Sequence, residues 1–129
     1  DELRELLSRK EIADGGFYTV EDRAGEIQGF CTLRGVTSEA RYAEFSLVLL
    51  DPALYATPLA DEAAGFLYER AFVRAGLNKV VAYCLEGERE LADFLRAQGF
   101  ESAGVQRDVV YAQGRWHALE ALCRTPASV

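Results

Sequence analysis

Few side chains in this sequence combine reactive chemistry with a position where it would count. Glu44 lies in the run Ala43-Glu44-Phe45-Ser46-Leu47, a carboxylate among mostly apolar neighbours. Partly buried, such a group can take a proton directly or through water, which is the work of a general base. The ordinary alternative is a solvated strand face, or an ion pair with Arg41 or Arg107. His117 is the single histidine, and imidazole titrates in the range that acid–base work needs. It follows Trp116 after a turn signal, with no Ser or Cys nucleophile motif beside it, so it reads as a strand histidine packed against an aromatic ring. Cys31, Cys84 and Cys123 are odd in number, widely spaced and each set in an apolar run. No CxxC pair or Cys/His cluster points to a zinc site or a disulfide framework, and each reads as a small hydrophobe. Tyr42, Tyr55, Tyr68, Tyr83 and Tyr111 read as half-buried sheet or helix residues ahead of specific ligands.

The totals narrow the function classes. A net charge of −7, with no Lys/Arg cluster, lacks the basic stripe that nucleic-acid binding requires. Acidity suits a cationic or amine-bearing partner, although its first effect is solubility. No apolar run nears the roughly 20 residues of a membrane span, so no membrane partner is expected. No basic-then-apolar leader opens the chain, and the cysteine pattern suits a reducing compartment, so a cytoplasmic location is expected. The 129 residues fit one domain, residues 1–129. The chain lacks an initiator Met and opens inside a helical pattern, which suggests a shortened N-terminus.

The elements that must position these groups follow from periodicity and turn chemistry. Leu3, Leu6 and Leu7 recur at helical spacing, predicting a short helix that ends by Asp14-Gly15-Gly16. Strands are predicted over Phe17–Glu21 and Glu26–Arg34 around the turn Asp22-Arg23-Ala24-Gly25, and over Arg41–Leu50 after a loop. Thr57 as N-cap, Pro58 at N1 and Asp61-Glu62 in the first turn announce a helix. Its stripe is Ala63, Phe66, Leu67 and Ala71, interrupted by Arg70, and Gly76 closes it. Lys79–Leu85 is a strand, Glu88–Gln98 a helix stopped by Gly99, and Val105–Ala112 with Arg115–Cys123 a hairpin about Gln113-Gly114. The order α-β-β-β-α-β-α-β-β excludes a doubly wound parallel sheet. It predicts an α+β fold: a twisted, mixed, mostly antiparallel sheet flanked by helices, with one right-handed parallel pair from Arg41 to Leu85.

Several segments, in this order and spacing, resemble the GNAT superfamily of acyl-CoA-dependent N-acyltransferases, especially the branch that acetylates ribosomal-protein N-termini and related small amines. They are Ala43-Glu44-Phe45-Ser46-Leu47 followed by Asp51; Glu62-Ala63; Arg70 through Val80; Phe94-Leu95-Arg96-Ala97-Gln98-Gly99-Phe100-Glu101; and Gln113-Gly114-Arg115-Trp116-His117. The likeness runs from about Leu3 to Cys123, and the family's first strand and first helix have no counterpart in it.

The resemblance implies that acetyl-CoA or another acyl-CoA lies in a V-shaped gap between the Arg41–Leu50 and Lys79–Leu85 strands. The backbone of Val48, Leu49 and Leu50 would hold pantetheine and the thioester carbonyl. The pyrophosphate would sit on the helix start at Thr57, Leu59 and Ala60, where unpaired N–H groups and the positive helix end attract anions. Tyr55 would line the mouth of the gap. Glu44 falls where the family often has an acidic residue and would take the proton of an attacking primary amine, on a small molecule or a peptide N-terminus. A homodimer is also compatible with the resemblance.

The sequence departs from the family at the loop that reads Arg/Gln-x-x-Gly-x-Gly/Ala. Here it is Tyr55-Ala56-Thr57-Pro58-Leu59-Ala60: Tyr55 replaces the cation, and Pro58 replaces a glycine and removes a donor. Thr57 is expected to cap the N–H of Leu59 or Ala60 in competition with phosphate. Glu88 stands where the family has an Asn that holds pantetheine, and Leu95 where many members have a Tyr that protonates the departing thiolate. Two readings follow: an acyltransferase, or a GNAT-like domain that has lost catalysis and serves as a binding or assembly module, with another ligand in the gap as a third possibility.

Overall fold

Alternation of apolar and polar residues along the strands decides which face of the sheet is covered. The computed structural model describes residues 3–5, 16–35 and 41–126. Its strands are β1 (Leu3–Glu5), β2 (Gly16–Glu21), β3 (Ile27–Arg34), β4 (Tyr42–Leu49), β5 (Lys79–Leu85), β6 (Glu101–Ala112) and β7 (Arg115–Arg124). They form one sheet in the order β1-β2-β3-β4-β5-β7-β6. Cys31 and Leu33 of β3, Ala43, Phe45, Leu47 and Leu49 of β4, and Val80, Ala82 and Cys84 of β5 are all buried. Helix α1 (Pro58–Tyr68) contributes Leu59, Ala60, Ala63, Ala64 and Leu67 to the same core, and α2 (Arg89–Ala97) contributes Phe94 and Leu95.

The parallel pair is the expected one, β4 with β5, and every other pairing in the sheet is antiparallel. The start of the chain differs from expectation. Leu3–Glu5 is a strand paired antiparallel to Tyr18–Val20, so it fills the first position of the sheet, where the sequence pointed to a helix and to no first strand. The outer edge of β2 offers unpaired amides, and pairing with it overrides a helical spacing only a few residues long. The rest of the expected helix lies outside the described residues.

The long crossover also differs in detail. Asp51 caps a 3-10 helix, Pro52–Ala56, with its side chain accepting from the Ala53 N–H at 3.0 Å. Thr57 precedes Pro58 as expected, but its side chain does not cap α1. The Thr57 hydroxyl turns back and donates to the Leu54 carbonyl at 2.6 Å. After Tyr68 the helix widens into a π-helical stretch, Glu69–Arg74, before Gly76 closes it at φ +65. Arg70, the charged residue in the apolar stripe, lies over the rings of Tyr18 and Phe66, 5.2 and 4.9 Å from their centroids. Its place there is aromatic stacking rather than a break in the pattern.

Gly29 marks the tightest passage in the sheet. It pairs with Leu49, and a Cβ built on it would run into the Val48 carbonyl oxygen, a backbone atom with nowhere to go. Gly29→Ala should therefore destabilise the chain by roughly 1–3 kcal/mol, the usual cost of overpacking. Urea denaturation of the two proteins checks this, and an unchanged midpoint would show that β3 and β4 can move apart there.

Candidate functional site

Backbone hydrogen bonding between β4 and β5 stops halfway. The ladder joins Tyr42 to Lys79, Ala43 to Val80 and Glu44 to Val81, and goes no further. Beyond Glu44, β4 stays paired with β3 as far as Leu49, and β5 stays paired with β7 as far as Leu85. The two strands thus splay at their C-terminal ends. Their closed ends are pinned by Arg41, a non-glycine residue at φ 56 whose carbonyl accepts from the Asn78 N–H at 2.7 Å and whose guanidinium donates to the Gly76 carbonyl.

The splay opens a cavity of about 330 Å³. Glu44, Phe45, Leu47, Val48 and Leu49 form one wall, and Ala82 and Tyr83 form another. Leu91 and Leu95 of α2 close it on a third side, with Tyr55 and Glu88 also at its lining. Among the described residues, three carboxylates line it, from Glu44, Glu88 and Glu90, and no Lys or Arg does.

Five of the sequence-predicted site residues meet in this gap: Glu44, Val48, Leu49, Tyr55 and Glu88. Leu50 does not. Its N–H donates to the Gln28 carbonyl at 2.8 Å, on the β3 side of the strand, and strand alternation turns the Val48 amide the same way. Thr57 and Leu59 line a separate cavity of about 470 Å³ beside the β2–β3 turn, together with Asp22, Arg23, Pro58 and Glu62. Ala60 is fully buried and lines neither cavity. Sequence reasoning missed Tyr83, Glu90 and Leu91 as lining residues. The alternation along β5 held a signal for Tyr83, which sits between the buried Ala82 and Cys84.

Glu44 pairs with Arg34, its cross-strand neighbour, at 3.2 Å, and not with Arg41 or Arg107. The pair is open to water, with the side chains 66% and 36% exposed, so the carboxylate keeps access to both solvent and gap. His117 is buried away from the gap, its Nε2 2.9 Å from the Ala112 carbonyl, which can only accept, so that nitrogen carries the proton. Burial pushes the Cys31 thiol up to about 12 and the Cys84 thiol up to about 11, so neither is a nucleophile at neutral pH.

Four of the backbone groups freed by the splay, on Leu47, Leu49 and Leu85, are occupied from within the chain. Tyr55 reaches back from the 3-10 helix; its hydroxyl donates to the Leu47 carbonyl at 2.7 Å and accepts from the Leu49 N–H at 3.2 Å. Its ring lies 5.7 Å from that of Phe94. Burial raises the phenol pKa, as does the nearby charge of Glu88, so the donor proton is retained. On the opposite strand, the Glu88 carboxylate accepts from the Leu85 N–H at 2.7 Å, and its own N–H donates to the Leu85 carbonyl at 3.0 Å. Leu95 is buried at the end of the gap and offers no proton.

The fold is similar to that of solved structures of the spermidine N-acetyltransferase SpeG from Vibrio cholerae. Its complex with CoA and spermine matches with a TM-score of 0.80 at 16% identity, over 95% of this chain and 73% of that one. The chain has the GNAT fold. A dodecameric form of SpeG in an intermediate state matches at 0.78 and 16% identity, over 95% of this chain and 71% of that one. A complex with manganese ions matches at 0.76 and 16% identity, over 93% and 71%. The likeness carries the GNAT fold and not the ribosomal-protein branch of it. No protein-family model and no curated protein matches the sequence.

The solvent-exposed pair at the gap should add little to stability, because water screens it. Arg34→Ala and Glu44→Gln should each change the unfolding free energy by less than about 1 kcal/mol. Chemical denaturation measures this, and a larger loss in either variant would mean that the pair holds β3 to β4.

Proposed function

We propose that the chain is an acyltransferase that moves an acetyl or other acyl group from acyl-CoA to a primary amine, with the gap between β4 and β5 as its site. One observation supports this above the rest: in a GNAT fold, the parallel pair opens beside a carboxylate, Glu44, that faces the cavity and is still wetted. Glu44 would accept the proton of the attacking ammonium group. The amine nitrogen then forms the C–N bond at the thioester carbonyl, the C–S bond breaks, and the nitrogen's surplus proton passes through water to the departing thiolate, since Leu95 has none to give. The three carboxylates at the gap favour a cationic acceptor, a small amine or a peptide N-terminus. That SpeG binds CoA and spermine supports the pairing of cosubstrate and acceptor.

The helix start fits the nucleotide less completely. The Thr57 hydroxyl does not cap α1, so it does not compete for those N–H groups, but Pro58 supplies no donor. Arg23 is the cation beside that helix start, accompanied by Asp22 and Glu62. The second reading, a binding or assembly module without catalysis, is favoured by the occupation of the Leu47, Leu49 and Leu85 backbone by Tyr55 and Glu88. Self-association would use the outer strand β6, where Val105, Val109 and Tyr111 are exposed and Trp116 of β7 packs on Tyr111 at 5.3 Å.

Thiol release from acetyl-CoA, measured against a panel of polyamines and N-terminal peptides, separates the two readings. Turnover should fall by roughly a hundred- to ten-thousandfold in Glu44→Gln, most where the amine is protonated. Equal turnover in both proteins would remove Glu44 from the reaction, and no turnover with any acceptor would favour the module. Sedimentation velocity should show self-association that is weakened by Tyr111→Lys; a wild-type monomer at every concentration would exclude the β6 contact.

A further inference from the structure

The geometry points to Tyr55 as the residue that decides which ligands the gap admits. We infer that its hydroxyl stands in for the missing strand partner of β4, so that an amide-bearing ligand must displace it to bind along that strand. In a parallel ladder, one residue of the partner strand donates to the carbonyl before, and accepts from the N–H after, the residue it faces. Leu47 C=O and Leu49 N–H flank Val48 in that relation. Continued in register from Glu44–Val81, the ladder would set Leu85 opposite Val48. The Leu85 N–H and C=O do face that side, since the next residue, Glu86, donates to Ala118 of β7. Instead, Tyr55 makes both β4 bonds with one oxygen atom, and Glu88 takes both groups of Leu85.

An acyl-pantetheine arm is a chain of amides, and to lie along β4 it must bond to the same carbonyl and N–H that Tyr55 holds. Every such ligand therefore competes with the phenol, whereas a ligand without amides does not. The loop holding Tyr55 is short, with Asp51 capping it and Phe94 beside the ring, so the hydroxyl is kept in place at little entropic cost. Removing the hydroxyl alone keeps the ring packing and leaves the two β4 groups open to a ligand or to water. The proposal rests on the reading of the gap as a thioester site.

Isothermal titration with S-acetylpantetheine, which lacks the nucleotide and so bypasses the altered loop at Pro58, compares the wild type with Tyr55→Phe. Two neutral hydrogen bonds are at stake, so the variant should bind about tenfold more tightly. Amide hydrogen exchange at Leu49 checks the contact itself: protected in the unliganded wild type, it should exchange faster in Tyr55→Phe and regain protection when the ligand is added. Thermal unfolding confirms that the variant is folded, and Tyr55→Leu, which keeps an apolar side chain there, repeats the test if it is not. Equal measurable affinity in both proteins would overturn the role of Tyr55 while leaving the thioester site standing. A freed Leu49 amide with no binding in either protein would overturn both, because the strand would then be open and still refuse the ligand.

Discussion

A parallel ladder that breaks off halfway must dispose of the hydrogen-bonding groups it no longer pairs. A buried N–H or C=O left alone costs about 1–3 kcal/mol, so a splayed pair is sustained only if something else reaches those groups. In this chain the closed end is pinned by Arg41, the far ends are held by β3 and β7, and Leu47, Leu49 and Leu85 of the open stretch are served by Tyr55 and Glu88. Tyr55 serves β4 and Glu88 serves β5. Much of the surrounding structure follows from that arrangement. The 3-10 helix is the length of chain that brings Tyr55 back over the strand, and the turn before α2 is the one that brings Glu88 under Leu85.

Behind the gap, an aromatic cluster carries the load of keeping the sheet and helices together. Phe45 of β4 lies 5.6 Å from Tyr68 and 5.2 Å from Phe100, and Tyr68 continues to Phe72 at 6.1 Å. Arg124, almost fully buried, sits 3.9 Å above the Tyr68 ring and donates through Nε to the Gln98 carbonyl at 2.7 Å. That carbonyl belongs to the end of α2, where a cation is favourable. One side chain on the last strand thus ties both helices to each other, and through Phe45 to the wall of the gap.

The sequence carried the architecture well and the site unevenly. Periods of two and of 3.6, with Gly, Pro and Asp at the turns, place β2 through β7 and both helices within a few residues of where they fold. Leu3–Glu5 escaped because three residues hold too little pattern to compete with pairing to a neighbouring edge. The π-helical stretch left no mark, since its composition is that of any helix. Glu44 and Tyr55 could be placed at the gap because the segments that hold them resemble the fourth strand and the acyl-CoA loop of the GNAT superfamily. The direction of the Thr57 hydroxyl could not be, because a hydroxyl can donate backward to Leu54 or accept forward from α1, and only the three-dimensional turn selects between them. The ion pair of Glu44 with Arg34 required the β3–β4 register, which depends on a loop whose length alone does not set it.

Tyr55 holds main-chain atoms, not side chains, and this bears on how such a protein can change over generations. Any residue supplies the carbonyl at position 47 and any but proline the N–H at position 49, so the contact asks nothing of those side chains beyond their packing in the core. Position 55 has no such tolerance, because the bond requires a hydroxyl at the end of a long, flat side chain. Tyrosine and phenylalanine codons differ by a single base. One point mutation therefore separates a lineage in which the phenol holds these two β4 groups from one in which they are free for a ligand.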